Sequence, residues 1–171
     1  MTSRTAWTAG NGVGYTWSAL FNSADLASLG TASAVMSSVA AITNQTSQDI
    51  YMDVSLRLAM ASTTLTAGAS FALYLYALLD DGTTYGDNAF SAGTGSANTI
   101  TNTKIGLAPV YSFAFPVTGA AATVLTGQAL GVVIPPGTFA CALANWTAPA
   151  TALSAGTQVC KYRTYNTNLN N

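Results

Sequence analysis

The sequence contains no histidine and no glutamate, so its six acidic residues are all aspartate. A Ser-His-Asp triad and a Cys-His pair both use an imidazole as the general base, and this chain cannot supply one. Its two cysteines, Cys141 and Cys160, do not form a Cys-x-x-Cys motif, which together with the lack of histidine excludes a conventional zinc site. No metal and no cofactor are predicted.

Charge is scarce, since only 6% of the residues are charged, against about 25% in a typical soluble domain. Five basic and six acidic residues leave a net charge of −1, which provides no positive field for nucleic acid and no polybasic patch for anionic lipid. A nearly neutral surface tends to associate, because net charge helps to keep free proteins apart. The composition therefore predicts partners that are neither nucleic acid nor membrane.

Long hydrophobic runs are missing as well, although half of the residues are hydrophobic. The longest run, ASFALYLYALL at 69–79, ends at Asp80 and Asp81 and is much shorter than the roughly 20 residues of a membrane-spanning helix. The first residues, MTSRTAWTAGNG, contain no apolar segment of the kind found in signal peptides. We expect a protein that is made and kept in a cytoplasm.

In a reducing cytoplasm, Cys141 and Cys160 are expected to be reduced and buried as small hydrophobic residues. The alternative is a disulfide across the last hairpin, because a register symmetric about Ala150 and Thr151 would pair the two cysteines. The sequence leaves this alternative open.

The stretch DIYMDVSLRLAM, residues 49–60, alternates strictly between apolar and other side chains. Successive side chains of a strand point to opposite faces, so this pattern predicts a β-strand with one buried and one wet face. Asp49 and Asp53 fall on the predicted wet face, as exposed aspartates. The predicted buried face consists of Ile50, Met52, Val54, Leu56, Leu58 and Met60.

Further strand-forming stretches follow one another along the chain. In residues 70–79 one face carries Tyr74 and Tyr76, and the other carries Phe71, Leu73, Leu75 and Leu79. Pro135-Pro136-Gly137 separates two later strands, because proline cannot donate to a ladder and glycine tolerates positive φ. Only SADLASLG could form a short helix, with Ser23 or Asp25 as N-cap and Gly30 as its end.

About eight strands with turn signals every 8–12 residues predict an all-β fold, either an antiparallel sandwich or a barrel. The Gly-, Ser- and Thr-rich residues 1–16 are predicted to form an extended N-terminal arm. Residues 17–166 form the single β-sandwich domain, and residues 167–171 a C-terminal tail.

Candidate catalytic and ligand-binding groups are few, and each has a simpler structural interpretation. A Ser-Lys dyad would need Lys104 or Lys161, and Lys161 alternates with Arg163 along a strand, as on a solvated or interface face. Asp49 and Asp53 are about 13 Å apart along a strand, farther than the carboxylate pair of a glycosidase. The sequence therefore predicts that the protein is not an enzyme.

Two loops and the tryptophans are candidate binding sites for calcium, phosphate or sugars. DDGTTYGD at 80–87 offers three aspartates to calcium but lacks EF-hand spacing, and a tight Asp-Gly turn explains it as well. GNGVG at 10–14 lacks the spacing of a phosphate-binding loop. Trp7, Trp17 and Trp146 could stack on sugars, although aromatic residues of sandwiches more often belong to cores or interfaces.

Residues 127–166, GQALGVVIPPGTFACALANWTAPATALSAGTQVCKYRTYN, resemble the closing strands of jelly-roll head decoration, or cement, proteins of tailed bacteriophages. The shared features are a Pro-Pro-Gly-Thr turn between strands, a loop of small residues and a last strand rich in Lys, Tyr and Arg. LYLYALLDDGTTYGD at 73–87 has the same character, and the likeness extends over residues 49–166. The resemblance implies that the sandwich is a jelly roll.

It also implies a structural virion protein on the outer surface of the capsid, assembled in the host cytoplasm. Its partners would be the major capsid protein and further copies of itself, as a homodimer or homotrimer that bridges capsomers. Alternatives are a tail-fibre, spike or baseplate module, and a carbohydrate-binding module. The predicted contact residues lie in the arm and the last strand: Arg4, Trp7, Tyr15, Lys161, Tyr162, Arg163 and Tyr165.

Overall fold

A computed structural model describes residues 4–9, 16–27, 29–39, 41–60, 69–79, 85–86, 98–101, 105–115, 124–147, 153 and 158–170. Within these residues the chain forms β1 (Arg4–Ala9), β2 (Ser18–Phe21), α1 (Ser23–Ala27), β3 (Ser33–Met36), β4 (Ile42–Thr43), β5 (Tyr51–Ala59), β6 (Ser70–Ala77), β7 (Asn98–Thr101), β8 (Tyr111–Ala114), β9 (Val124–Val133), β10 (Thr138–Asn145) and β11 (Val159–Asn170).

The strands form two antiparallel sheets that pack face to face. Sheet A has the order β1-β11-β5-β9, with β2 also paired to β11, and sheet B has the order β7-β3-β10-β6-β8, with β4 also paired to β10. When β2, β3, β5, β6, β8, β9, β10 and β11 are counted as strands one to eight, the sheets read 1-8-3-6 and 2-7-4-5. This is the strand order of a jelly roll, so the predicted fold class is confirmed.

The main core lies between the sheets and is lined by one face of each strand. In β5 the predicted inward residues Met52, Val54, Leu56 and Leu58 are all buried there. Ile50 differs, because it precedes β5 and its side chain is exposed. The period-two pattern therefore predicted the core face of β5 correctly but extended it one position too far.

The outer face of sheet B is buried by the chain itself. Tyr85 and Ile105, from the connection between β6 and β8, pack against it. The buried members of this second core are Ala34, Met36, Ala72, Tyr74, Tyr76, Tyr85, Ala140, Ala142 and Ala144. Small alanines on β3, β6 and β10 leave room for the covering segment and the tyrosine rings. Sheet B is thus covered on both faces, whereas the outer face of sheet A carries exposed side chains.

Both ends of the described chain belong to sheet A. Residues 4–9 are extended, as predicted for the arm, but they form β1 and pair with β11 from Arg4↔Asn170 to Ala9↔Tyr165. The last strand continues to Asn170, through most of the segment predicted as a tail. The predicted division at residues 16 and 166 therefore does not coincide with the ends of the sheet.

The short helix has Asn22 in the N-cap position, in place of the predicted Ser23 or Asp25, and it ends at Ala27, before the predicted Gly30. Asp25 is the third helical residue, and its Oδ2 accepts a bond from the Asn22 backbone N–H at 3.2 Å, as the side chain at this position does in a capping box. The same oxygen accepts bonds from the backbone N–H and the hydroxyl of Ser38, both at 2.8 Å. Asp25 is therefore buried, and it ties α1 to the segment that follows β3.

Gly127 marks a close approach between the two sheets. A Cβ atom at this position would lie 2.8 Å from Cδ1 of Phe113 on β8. We predict that Gly127→Ala lowers the free energy of unfolding by about 1–3 kcal/mol through overpacking, measured by urea denaturation. Gly86→Ala is the control, because no heavy atom lies within 4 Å of its added Cβ. Equal midpoints for the two variants would contradict this account.

Candidate functional site

The outer face of sheet A brings together three of the predicted contact residues. On β11, Lys161, Arg163 and Tyr165 lie opposite Ser55, Asp53 and Tyr51 of β5. Alternation along the strand turns Tyr162 the other way, where it packs against the main core. Tyr162 therefore packs on the inner side of β11, between the two sheets.

The remaining predicted contact residues belong to the N-terminal segment. Arg4 and Trp7 lie in β1, where their backbones pair with those of Asn170 and Thr167. Tyr15 lies outside the described residues.

Asp53 is the centre of a hydrogen-bond network on this face. Its Oδ2 accepts bonds from Arg163 Nε at 2.9 Å and Nη2 at 2.8 Å. Its Oδ1 accepts bonds from the Tyr165 hydroxyl at 3.0 Å and the Gly131 backbone N–H at 2.9 Å. The prediction of an exposed Asp53 is wrong, since only 4% of the residue is accessible. Four donors, two of them from the directly opposite Arg163, compensate the burial of the carboxylate.

Gly131 supplies its donor through a β-bulge. The register between β5 and β9 shifts between Met52 and Val54, so that the bulge in β9 lies opposite Asp53. Gly131 has a φ of +68°, which a bulge of this kind requires and which glycine adopts without steric cost. The bulge turns the Gly131 N–H toward the carboxylate, in place of an ordinary ladder bond.

Aromatic rings flank the network. The guanidinium carbon of Arg163 lies 4.9 Å from the ring centroid of Trp17, within range of a cation–π interaction. The rings of Tyr51 and Tyr165 stack with centroids 5.7 Å apart. Asp53 has no free lone pair directed at solvent, so this arrangement is suited to holding the shape of a surface and not to acid–base or nucleophilic chemistry.

Asp49 belongs to a different structure, the turn that precedes β5. Asn44 Oδ1 accepts a bond from the Asp49 N–H, and Asn44 Nδ2 donates to the Asp49 and Pro135 carbonyls at 2.8 and 3.1 Å. The prediction of an exposed Asp49 is wrong as well, because this turn buries it. Asp49 therefore belongs to this turn, whereas Asp53 belongs to the network on the outer face of sheet A.

The cysteines are not partners in a hairpin. Cys141 lies on β10 of sheet B and Cys160 on β11 of sheet A, so the register proposed for a disulfide does not exist. Both thiols are free and buried in the main core. Burial raises the pKa of each thiol above its ordinary value, which keeps both protonated and unreactive near neutral pH.

Trp17 and Trp146, two of the three tryptophans considered for sugar stacking, lie in different parts of the sandwich. Arg163 of sheet A lies over the Trp17 ring, whereas Trp146 follows β10 and its backbone N–H donates to the backbone carbonyl of Ser70, the first residue of β6 in sheet B. Only the backbone of Trp7 is described. Asp80, Asp81, Asp87, Lys104 and the GNGVG segment lie outside the described residues.

The part of the chain that the structure describes contains no group of three or more side chains placed to bind a metal ion. None of its helical segments has the length and apolarity to cross a bilayer. A cavity of about 10 Å³ beside Cys141 and Tyr162 has room for no more than one water molecule.

No protein-family model, curated protein or solved structure matches the chain. Its function is therefore inferred from its own residues and their arrangement.

Exposed groups on sheet A surround the buried network. Arg57 and Lys161 are exposed, while the three aspartates that the structure describes, Asp25, Asp49 and Asp53, are all buried. At the edge of the sheet, Leu130 and Val133 of β9 expose 65% and 66% of their surface. Arg57, Leu130 and Val133 were missed from sequence, because an isolated arginine or aliphatic residue in a strand carries no signal of its own.

Because the Tyr165 hydroxyl belongs to this network, the free energy of unfolding should depend on pH in the alkaline range. Burial, followed by the hydrogen bond to Asp53 and its charge, raises the pKa of Tyr165 to about 12, against the opposing effect of Arg163. The folded state therefore favours the protonated phenol. The contribution of the protonated Tyr165 phenol to the free energy of unfolding is fully present below about pH 10, the ordinary pKa of tyrosine. It is lost as the pH rises towards 12.

We predict that the free energy of unfolding falls between pH 10 and 12, and that Tyr165→Phe makes this fall shallower. Tyr85, Tyr162 and both cysteines also have raised pKa values, so part of the slope remains in the variant. Urea denaturation at pH 8, 10 and 11 measures the slope. Identical slopes for wild type and Tyr165→Phe would contradict the prediction.

Proposed function

We propose that the protein is a structural virion component, a capsid decoration or cement protein that binds the outer surface of a tailed-phage head and stabilises neighbouring capsomers. The observation that carries this proposal is the open outer face of sheet A, where arginine, lysine, tyrosine and tryptophan lie beside exposed aliphatic residues. Aromatic residues and arginine are enriched in protein–protein interfaces. The resemblance of residues 49–166 to decoration proteins supports the same assignment.

Binding explains the described residues better than catalysis does. Asp53 is saturated by four donors, and Asp49 is enclosed in a turn. Both cysteines are buried in the core. The Asp53 carboxylate and both thiols are thus occupied by the fold, which leaves the surface as the part of the protein suited to its function.

Such a surface is suited to bridging. Nine large hydrophobic side chains among the described residues are exposed, at positions spread over both sheets and their connections. Each contact of this kind contributes only a modest binding free energy. A homodimer or homotrimer that engages several capsomers gains avidity, because its second and third sites bind at a high effective concentration. Because it binds the assembled shell and not the separated subunits, it stabilises the shell by mass action.

The test is co-sedimentation with shells assembled from the major capsid protein encoded in the same genome. We expect saturable binding over the whole shell and a higher thermal midpoint for decorated shells. Failure to pellet with these shells would contradict the proposal. Labelling confined to a vertex or to tails would instead support the alternative of a tail-fibre, spike or baseplate module.

A further inference from the structure

We propose that the outer face of sheet A is the docking face and that its protein partner presents carboxylates opposite Arg57 and Lys161. This inference rests on the proposed function and specifies the contact chemistry. The two outer faces of the sandwich differ in a way that selects one of them. Tyr85 and Ile105 of the β6–β8 connection pack against the outer face of sheet B in a second core, whereas Arg57, Lys161, Thr126 and Gln128 of sheet A are exposed.

Arg57 and Lys161 form a small cationic pair. Lys161 lies opposite Ser55, and Arg57 lies opposite Val159. The two residues are therefore diagonal neighbours on one face, with their strand positions about 7–8 Å apart. Among the described residues the one ion pair joins Arg163 to Asp53, which leaves Arg57 and Lys161 without an acidic partner in that part of the chain. Asp53 is committed to Arg163 and does not offset their charge.

Polar groups next to this pair complete a site for carboxylates. Arg57 lies opposite Thr126 and Ser55 opposite Gln128 of β9, and these residues line a shallow depression of the surface. Hydroxyl and amide groups beside two cations can donate to carboxylate oxygens. Two cations on a chain of net charge −1 create too weak a field for a polyanion such as nucleic acid, which favours an acidic protein surface.

The inference predicts binding that depends on salt and on two side chains. Exposed ion pairs contribute modestly, so loss of both should weaken shell binding roughly tenfold at low salt. The variant is Arg57→Gln/Lys161→Gln, which removes both charges without introducing repulsion. The control is Thr43→Glu/Ala108→Glu, which changes the net charge by the same amount at exposed positions in β4 and before β8. Equal thermal midpoints should verify that both variants are folded.

Co-sedimentation with shells is measured for wild type and both variants at 50 and 300 mM salt. We expect salt to weaken the wild type and the control, and the Arg57→Gln/Lys161→Gln variant to bind roughly tenfold less tightly and with little salt dependence. If the Arg57→Gln/Lys161→Gln variant binds shells as tightly as wild type, the proposed docking face is overturned while the proposed function stays intact. No binding by wild type would overturn the proposed function itself. A changed oligomeric state with unchanged shell binding, measured by analytical ultracentrifugation, would assign the cations to self-association and overturn the inference.

Discussion

Replacing Asp53 with alanine is expected to lower the free energy of unfolding by about 3 kcal/mol, a large loss for one surface-facing position. The substitution leaves the Tyr165 hydroxyl and the Gly131 N–H without their acceptor in a nearly dry environment. It also leaves the Arg163 guanidinium without its carboxylate. The Arg163 side chain is 31% exposed, so water can replace some of its lost bonds, which keeps the expected loss at the lower end for a broken buried pair. Urea denaturation at pH 7 measures the change.

Ser55→Ala is the matched control for this substitution. Ser55 lies two residues farther along β5 on the same face, and its replacement should change stability by less than about 0.5 kcal/mol. A loss below about 1 kcal/mol for Asp53→Ala would contradict the importance of the network.

The double variant Asp53→Ala/Arg163→Met separates two causes of the loss. If Asp53→Ala lowers the free energy of unfolding mainly because the Arg163 guanidinium loses its carboxylate partner, removal of Arg163 as well should restore part of the stability. A double variant less stable than Asp53→Ala alone would show that Arg163 stabilises the fold mainly through other contacts, such as the one with Trp17.

The sequence pattern predicted the inward face of β5 because burial of Met52, Val54, Leu56 and Leu58 follows from alternation alone. It failed at Asp53 because a hydropathy pattern assigns every charge to solvent. The compensating partner, Arg163, is 110 residues away in the sequence and becomes adjacent only when β5 and β11 pair. Knowledge of the jelly-roll strand order, which places these two strands side by side, would have exposed the match between them.

Other differences between prediction and structure also arise from contacts distant in sequence. Asp49 is buried because Asn44 organises the preceding turn and bonds to Pro135 in the β9–β10 connection. Residues 4–9 read as an arm, yet they pair with the far end of β11. Polar, glycine-rich sequence next to the segment obscured this strand, whose partner β11 lies at the opposite end of the sequence.

The contact residues of the candidate docking face were predictable only in part. The Lys161–Tyr165 stretch stood out because charge and aromatic residues alternate within it. Arg57, Leu130 and Val133 became candidates only when the strand order placed β9, β5 and β11 side by side. A face built from three strands far apart in sequence cannot be recognised by inspecting any one of them.

The second core makes a further large effect testable. Tyr76→Ala is expected to lower the free energy of unfolding by about 3–5 kcal/mol, as for other fully buried aromatic residues. The Tyr76 ring is completely buried on the outer face of sheet B, among alanines of β10 and the covering Tyr85. On an open sheet face, the same substitution would cost much less, because a half-exposed ring loses less apolar contact. Urea denaturation at pH 7 measures the loss.

Leu79→Ala is the control, because Leu79 follows the same strand but 48% of its surface is exposed. Its replacement should cost less than about 1 kcal/mol, in proportion to the smaller area that it buries. Similar, small losses at both positions would mean that the β6–β8 connection does not cover sheet B in solution. Sheet B would then present a second open face, and the choice of sheet A as the docking face would lose its structural basis. A large loss at Tyr76 alone leaves sheet A as the face available to a partner.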